Sequence, residues 1–70
     1  MERSARYEIR VAELLDAGWS AWFDGLQVTG DGQLGQTVIA GPVADQAALH
    51  GLLAKVRDLG LTLVAVQRLG

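Results

Sequence analysis

Apolar and polar residues alternate at Tyr7-Glu8-Ile9-Arg10-Val11, the period-two pattern of a half-buried strand. Tyr7, Val11, Leu14, Leu15 and Gly18 also share one face of a helix, so residues 7–15 admit both readings; the strand is preferred. Asp16-Ala17-Gly18 reads as a turn, with Asp16 as an N-cap. Trp19, Trp22 and Phe23 then recur at i, i+3 and i+4, which predicts a short helix with a single apolar stripe. Asp24-Gly25 ends it, Gly25 being suited to a left-handed position. Leu26-Gln27-Val28-Thr29 and Thr37-Val38-Ile39-Ala40 read as two strands of a hairpin, joined by a long glycine-rich loop from Gly30 to Gly35. Pro42 is expected to stop the second of them, because it has no N–H for a ladder. Leu49, Leu52, Leu53, Val56 and Leu59 recur at helical spacing between an N-cap at Asp45 and a closing Gly60. Lys55 and Arg57 stand where the helix dipole favours positive charge. Leu61 to Val66 is a nearly all-apolar run, interrupted only by Thr62, and suits a strand covered on both faces.

The order strand, helix, strand, strand, helix, strand predicts an α+β domain of the ferredoxin-like, split-βαβ kind. Its sheet would be four-stranded and antiparallel, with two helices on one face. Residues 1–5 would form a tail and residues 6–70 the domain. In this arrangement Tyr7, Ile9, Val11, Leu26, Val28, Val38, Ala40, Leu61, Leu63 and Ala65 would face the helices. The opposite face would carry Glu8, Arg10, Gln27, Thr29, Thr37, Thr62 and Arg68, with an apolar patch of Ile39, Val64 and Val66. That patch is the expected oligomer surface.

Size strengthens the case for self-association. Seventy residues bury only about 60% of the surface the unfolded chain exposes. The chain has no cysteine, so neither a disulfide nor a thiolate site can stabilise it, and one histidine, His50, cannot make a zinc site alone. Half the residues are nevertheless apolar, a surplus that a second chain could cover. A homo-oligomer, most simply a dimer, is the expectation. The net charge of −2, with six basic residues scattered among acids, lacks the electrostatic footprint of a nucleic-acid binder. No run approaches the roughly 18 apolar residues of a membrane span, and the first residues lack the apolar stretch of a signal peptide. A cytoplasmic protein is the default.

Candidate chemistry is sparse. Copper-chaperone-type binding needs cysteines that are absent, and base stacking needs aromatics on the open sheet face, where none is expected. Gly30-Asp31-Gly32-Gln33-Leu34-Gly35 has dinucleotide-motif spacing, but it joins two strands instead of a strand and a helix, so it reads as a hairpin turn. Asp16-Ala17-Gly18 lies where amino-acid-binding regulatory domains of this topology hold a ligand, yet Asp-x-Gly is ordinary turn chemistry. Ser20 has no nucleophile-elbow context. His50 could act as a general base, although a helix-flank histidine needs no such role. No catalytic, cofactor or metal residue is therefore assigned.

Trp22-Phe23-Asp24-Gly25-Leu26, Gly41-Pro42-Val43, Asp45 to Leu53 and Lys55 to Leu61 form a set of blocks that resembles a group of short uncharacterised bacterial proteins. The resemblance covers roughly residues 6 to 68. It implies a free-standing domain of that group, without activity or ligand. It also draws attention to Asp24, Gln46 and His50, polar residues within the blocks. Gln46 and His50, at i and i+4, share a helix flank. With Asp24 they are the candidate interaction surface. The leading expectation is a non-enzymatic, self-associating protein-interaction module. The alternatives are a small-molecule-binding regulatory domain at a subunit interface and a small enzyme using His50.

Overall fold

The computed structural model describes residues 5–70. Strand β1 (Ala5–Val11) leads into a 3-10 helix (Ala17–Phe23), then β2 (Gln27–Asp31), β3 (Gln36–Val43), helix α1 (Gln46–Asp58) and β4 (Leu63–Arg68). The fold is α+β. Its single four-stranded sheet has the order β2-β3-β1-β4, with every neighbouring pair antiparallel. Of residues 7–15, Tyr7 to Val11 are strand, which settles that reading. The expected tail, residues 1–5, falls outside the described residues except for Ala5, which is buried and pairs with Val43 as the first residue of β1.

Both helices lie on one face of the sheet. Tyr7, Ile9 and Val11 of β1, Val28 of β2 and Ile39 and Val43 of β3 form a single core with Phe23, Leu26, Leu49, Leu52 and Val56. α1 buries its i, i+3, i+7 stripe Leu49, Leu52, Val56. Its start is capped by Asp45, whose carboxylate accepts the Ala48 N–H at 2.8 Å. Its end is a Schellman motif, in which Gly60 at φ 71 lets its own N–H reach Arg57 and the Leu61 N–H reach Val56, each at 3.0 Å. Leu26 lies across Gly41, where a Cβ would come within 2.6 Å of a Leu26 methyl.

Several elements differ from expectation. The first helix is 3-10. In that geometry residues three apart eclipse, so Trp19 and Trp22 align, with ring centroids 6.3 Å apart. Phe23 is turned about a third of the way round the axis. The apolar stripe therefore splits: Phe23 is fully buried, Trp19 is partly buried and Trp22 is 60% exposed.

β3 does not stop at Pro42. Arg6, opposite Pro42, directs both its N–H and its C=O away from it, to Gly70 and Leu69. β2 begins only at Gln27, opposite Ala40, and so does not reach Pro42. The proline is thus placed where no ladder bond is asked of it. The hairpin connection is also shorter, Gly32 to Gly35. It is held by the Asp31 carboxylate, which accepts the Gln33 and Leu34 N–H groups.

The faces of β3 are reversed. Thr37 and Ile39 are fully buried on the helix side, and Val38 and Ala40 lie on the other. Ile39 pairs with both Ile9 and Val28, so it belongs to the core and not to an open-face patch. Val66 pairs with Ile9 and Arg68 with Tyr7, which puts both on the helix side too, while Ala65, opposite Arg10, takes the open face. A register shift between Arg10 and Val11 inserts one extra β4 residue and sets Leu63 opposite Val11. The expectation that β4 is covered on both faces fails, because all six of its residues are exposed.

Candidate interaction surface

The structure separates the three polar residues singled out in the sequence. Gln46 Nε2 donates to the Tyr7 hydroxyl at 3.0 Å, which fastens the first turn of α1 to β1. Asp24 closes the 3-10 helix in a left-handed conformation, φ 57, and pairs with Lys55 at 3.2 Å. Lys55 is nine residues beyond Gln46, roughly 13 Å along the helix axis. Asp24 and Gln46 therefore contact different ends of α1. His50 is exposed, and among the described residues it makes no hydrogen bond or ion pair.

The remaining acids among the described residues have local work. Asp16 accepts the Gly18 N–H and caps the 3-10 helix. Glu8 pairs with Arg10 at 2.8 Å and Asp58 with Arg57 at 3.2 Å. Ser20 donates its hydroxyl to the Leu26 carbonyl at 2.6 Å, which closes the turn into β2. Among the described residues no three His, Asp or Glu side chains gather as a metal site, and no helix is long and apolar enough to cross a membrane.

Glu13, in the sequence a single carboxylate with no evident partner, joins two distant segments. Its carboxylate accepts the Thr62 N–H at 2.8 Å just before β4 begins, while its own carbonyl accepts the Thr37 hydroxyl at 2.6 Å. The Thr62 N–H is the main cause holding the Glu13 carboxyl below its ordinary pKa, and the Thr62 side chain adds to it. A depressed folded-state pKa contributes stability that is fully present above the ordinary carboxylate pKa and is lost as pH falls from there through the lowered folded value. Glu13→Gln keeps an acceptor for Thr62 without the titration. The drop in melting temperature between pH 7 and pH 3 should therefore be smaller in Glu13→Gln than in the parent chain. An identical drop in both would remove Glu13 from the acid response.

What stands out is apolar surface. Leu63, Val64, Val66 and Leu69 are each between 39% and 47% exposed, all on or beside β4. The main helix packing is that of α1 on β3 and of the 3-10 helix on β2, and it leaves every residue of β4 exposed. Among the described residues no strand lies beyond β4. The expected oligomer surface thus loses Ile39 to the core and keeps Val64 and Val66, now part of an edge strand. Sequence pattern could identify the apolar run but not its place at the sheet edge. Trp22, Leu14 and Leu34 are further exposed apolar side chains.

A family model described as a domain of unknown function (DUF8691) matches residues 6–67. No curated protein and no solved structure matches the chain.

Proposed function

The chain belongs to the DUF8691 family of domains of unknown function, and from its own geometry we propose that it is a non-enzymatic, self-associating protein-interaction module. One observation carries this reading. β4 is an edge strand with every residue exposed, and four of its six residues, Leu63 to Val66, are apolar. Edge strands in soluble proteins are ordinarily protected by lysine, proline, a β-bulge or a covering element, and of these β4 has only the bulge beside Arg10 and Val11. β4 contains neither lysine nor proline, and its one charge is Arg68 near its end. Burying a valine or leucine side chain contributes about 1.5–3 kcal/mol. For a domain with so small a core, this surface is worth more covered than open.

The ferredoxin-like, split-βαβ reading is supported by the element order and by a sheet with β1 and β3 at its centre. The non-enzymatic reading is supported by the acids among the described residues, each of which caps a helix, closes a turn, pins a strand or forms an ion pair away from His50. A cytoplasmic setting accords with the cysteine-free composition.

Light scattering over a wide concentration range tests the proposal. The expected result is twice the mass of one chain, with a melting temperature that rises with protein concentration. Single-chain mass at every concentration would overturn it.

A further inference from the structure

We infer that residues 62–70 form a strap that releases from β1 as one unit while the rest of the fold stays closed, with the Glu13 side chain as the latch on its leading end. This device is independent of the self-association proposed above. Every apolar residue of the core, and every half-buried one packed against it, lies between Ala5 and Leu61. Leu61 itself belongs to the fixed part: its N–H goes to the Val56 carbonyl at 3.0 Å and its side chain lies against the core. Thr62 is exposed, and so is each residue of β4 after it. The boundary between fixed and releasable chain therefore falls between Leu61 and Thr62.

Beyond that boundary, hydrogen bonds do the holding that core packing does elsewhere. The Ala12 N–H reaches the Thr62 carbonyl at 2.9 Å and the Leu69 N–H reaches the Arg6 carbonyl at 2.7 Å, so the strap is fastened near both ends. Between them the ladder is interrupted by the register shift beside Arg10 and Val11, where β4 carries an extra residue. On its other edge β1 pairs with β3 without a break from Ala5 to Val11. That pairing runs through the core, since Tyr7, Ile9 and Val11 stand opposite Gly41, Ile39 and Thr37, all of them buried. Local opening is easiest where few buried apolar contacts support the hydrogen bonds. The two edges of β1 differ in just this respect, and β4 occupies the weaker one.

Among the described residues, Glu13 supplies the one side chain that hydrogen-bonds this segment, its carboxylate accepting the Thr62 N–H at 2.8 Å. Glu13 is itself tied to the fixed part. Its carbonyl accepts the Thr37 hydroxyl at 2.6 Å, and that hydroxyl accepts the Leu15 N–H at 2.8 Å. A group anchored to the body and bonded to the first residue of the strap is placed to keep the strap shut.

β1 reports on release directly. The Ala12 N–H turns to Thr62 and the Arg6 N–H to Gly70. By the alternation of an antiparallel strand, Glu8 and Arg10 also turn theirs toward β4, and Tyr7, Ile9 and Val11 turn theirs toward β3. Release bares the first set and leaves the second bonded. Amide hydrogen exchange of the full chain in dilute solution, read residue by residue and corrected for intrinsic rates, compares the two sets in the parent and in Glu13→Ala. In the parent, Glu8, Arg10 and Ala12 are expected to share one protection factor, at least about tenfold below that of Tyr7, Ile9 and Val11. In Glu13→Ala the protection of the first set should fall by roughly threefold or more, the loss of one net hydrogen bond, while the second set keeps its value. Equal protection of both sets in the parent would overturn the strap, and a graded series from Glu8 to Ala12 would overturn its release as one unit. A fall of both sets by the same factor in Glu13→Ala, or of neither, would overturn the latch.

Discussion

Phe23→Ala is expected to destabilise the domain by about 3–5 kcal/mol, whereas Trp22→Ala, one residue earlier, should change stability by no more than about 0.5 kcal/mol. Phe23 is the largest fully buried side chain and brings the 3-10 helix onto the core. Trp22 points away and leaves more than half its surface in water. A chain of this length has a total stability on the order of 4–10 kcal/mol, so the phenylalanine change would consume a large part of it. Urea titration followed by circular dichroism should show a partly or wholly unfolded Phe23→Ala chain at low denaturant, and a Trp22→Ala midpoint close to that of the parent. Equal losses in the two variants would mean that the tryptophan pair carries core packing, contrary to the 3-10 geometry.

Thr37→Val is expected to cost about 2 kcal/mol, more than Thr37→Ser. That order inverts what apolar burial alone would give. Thr37, the second residue of β3, is fully buried on the core face. Its hydroxyl accepts the Leu15 N–H at 2.8 Å and donates to the Glu13 carbonyl at 2.6 Å. These bonds tie the irregular segment after β1 to the first residues of β3. Valine preserves the volume and removes the hydroxyl, which leaves one donor and one acceptor without partners, at about 1–3 kcal/mol for each group kept from water. Serine keeps both bonds and gives up a methyl, about 0.8 kcal/mol. Chemical denaturation of the two variants settles the order. A Thr37→Val chain as stable as the parent would show that water or a shifted backbone takes over both bonds.

The same threonine shows why the face of β3 was not legible in the sequence. Thr37-Val38-Ile39-Ala40 offers two phases, and hydrophobicity favours the one that buries Val38 and Ala40. The competing phase buries Thr37, Ile39, Gly41 and Val43. It wins through partners that short-range pattern does not contain: a hydroxyl satisfied by residues more than twenty positions away, a glycine that yields space to Leu26, and a proline set opposite an arginine already bonded elsewhere. Because a one-residue slip exchanges the faces of a whole strand, this single ambiguity also moved Ile39 from the expected surface patch into the core. The candidate surface at Asp24, Gln46 and His50 met a different difficulty. Helical spacing correctly put Gln46 and His50 on one flank, but Asp24 docks near the opposite end of α1 through Lys55.

Residues close together along the chain were enough to fix the number and order of the elements, α1 and both its caps, the aspartate before the first helix, and the apolar character of the final strand. Each depends on residues a few positions apart: a carboxylate reaching an N–H within one turn, a glycine at positive φ, a stripe of leucines. Tertiary structure alone decided the strand order, the phase of β3, the splitting of the aromatic stripe and the exposure of β4. These depend on groups brought together from distant parts of the chain and on how far the helix layer extends across the sheet. An apolar run reads alike at the centre of a sheet and at its edge. Its position beyond β1 leaves Leu63 and Ala65, expected to face the helices, exposed beside Val64 and Val66 on the surface on which self-association is proposed.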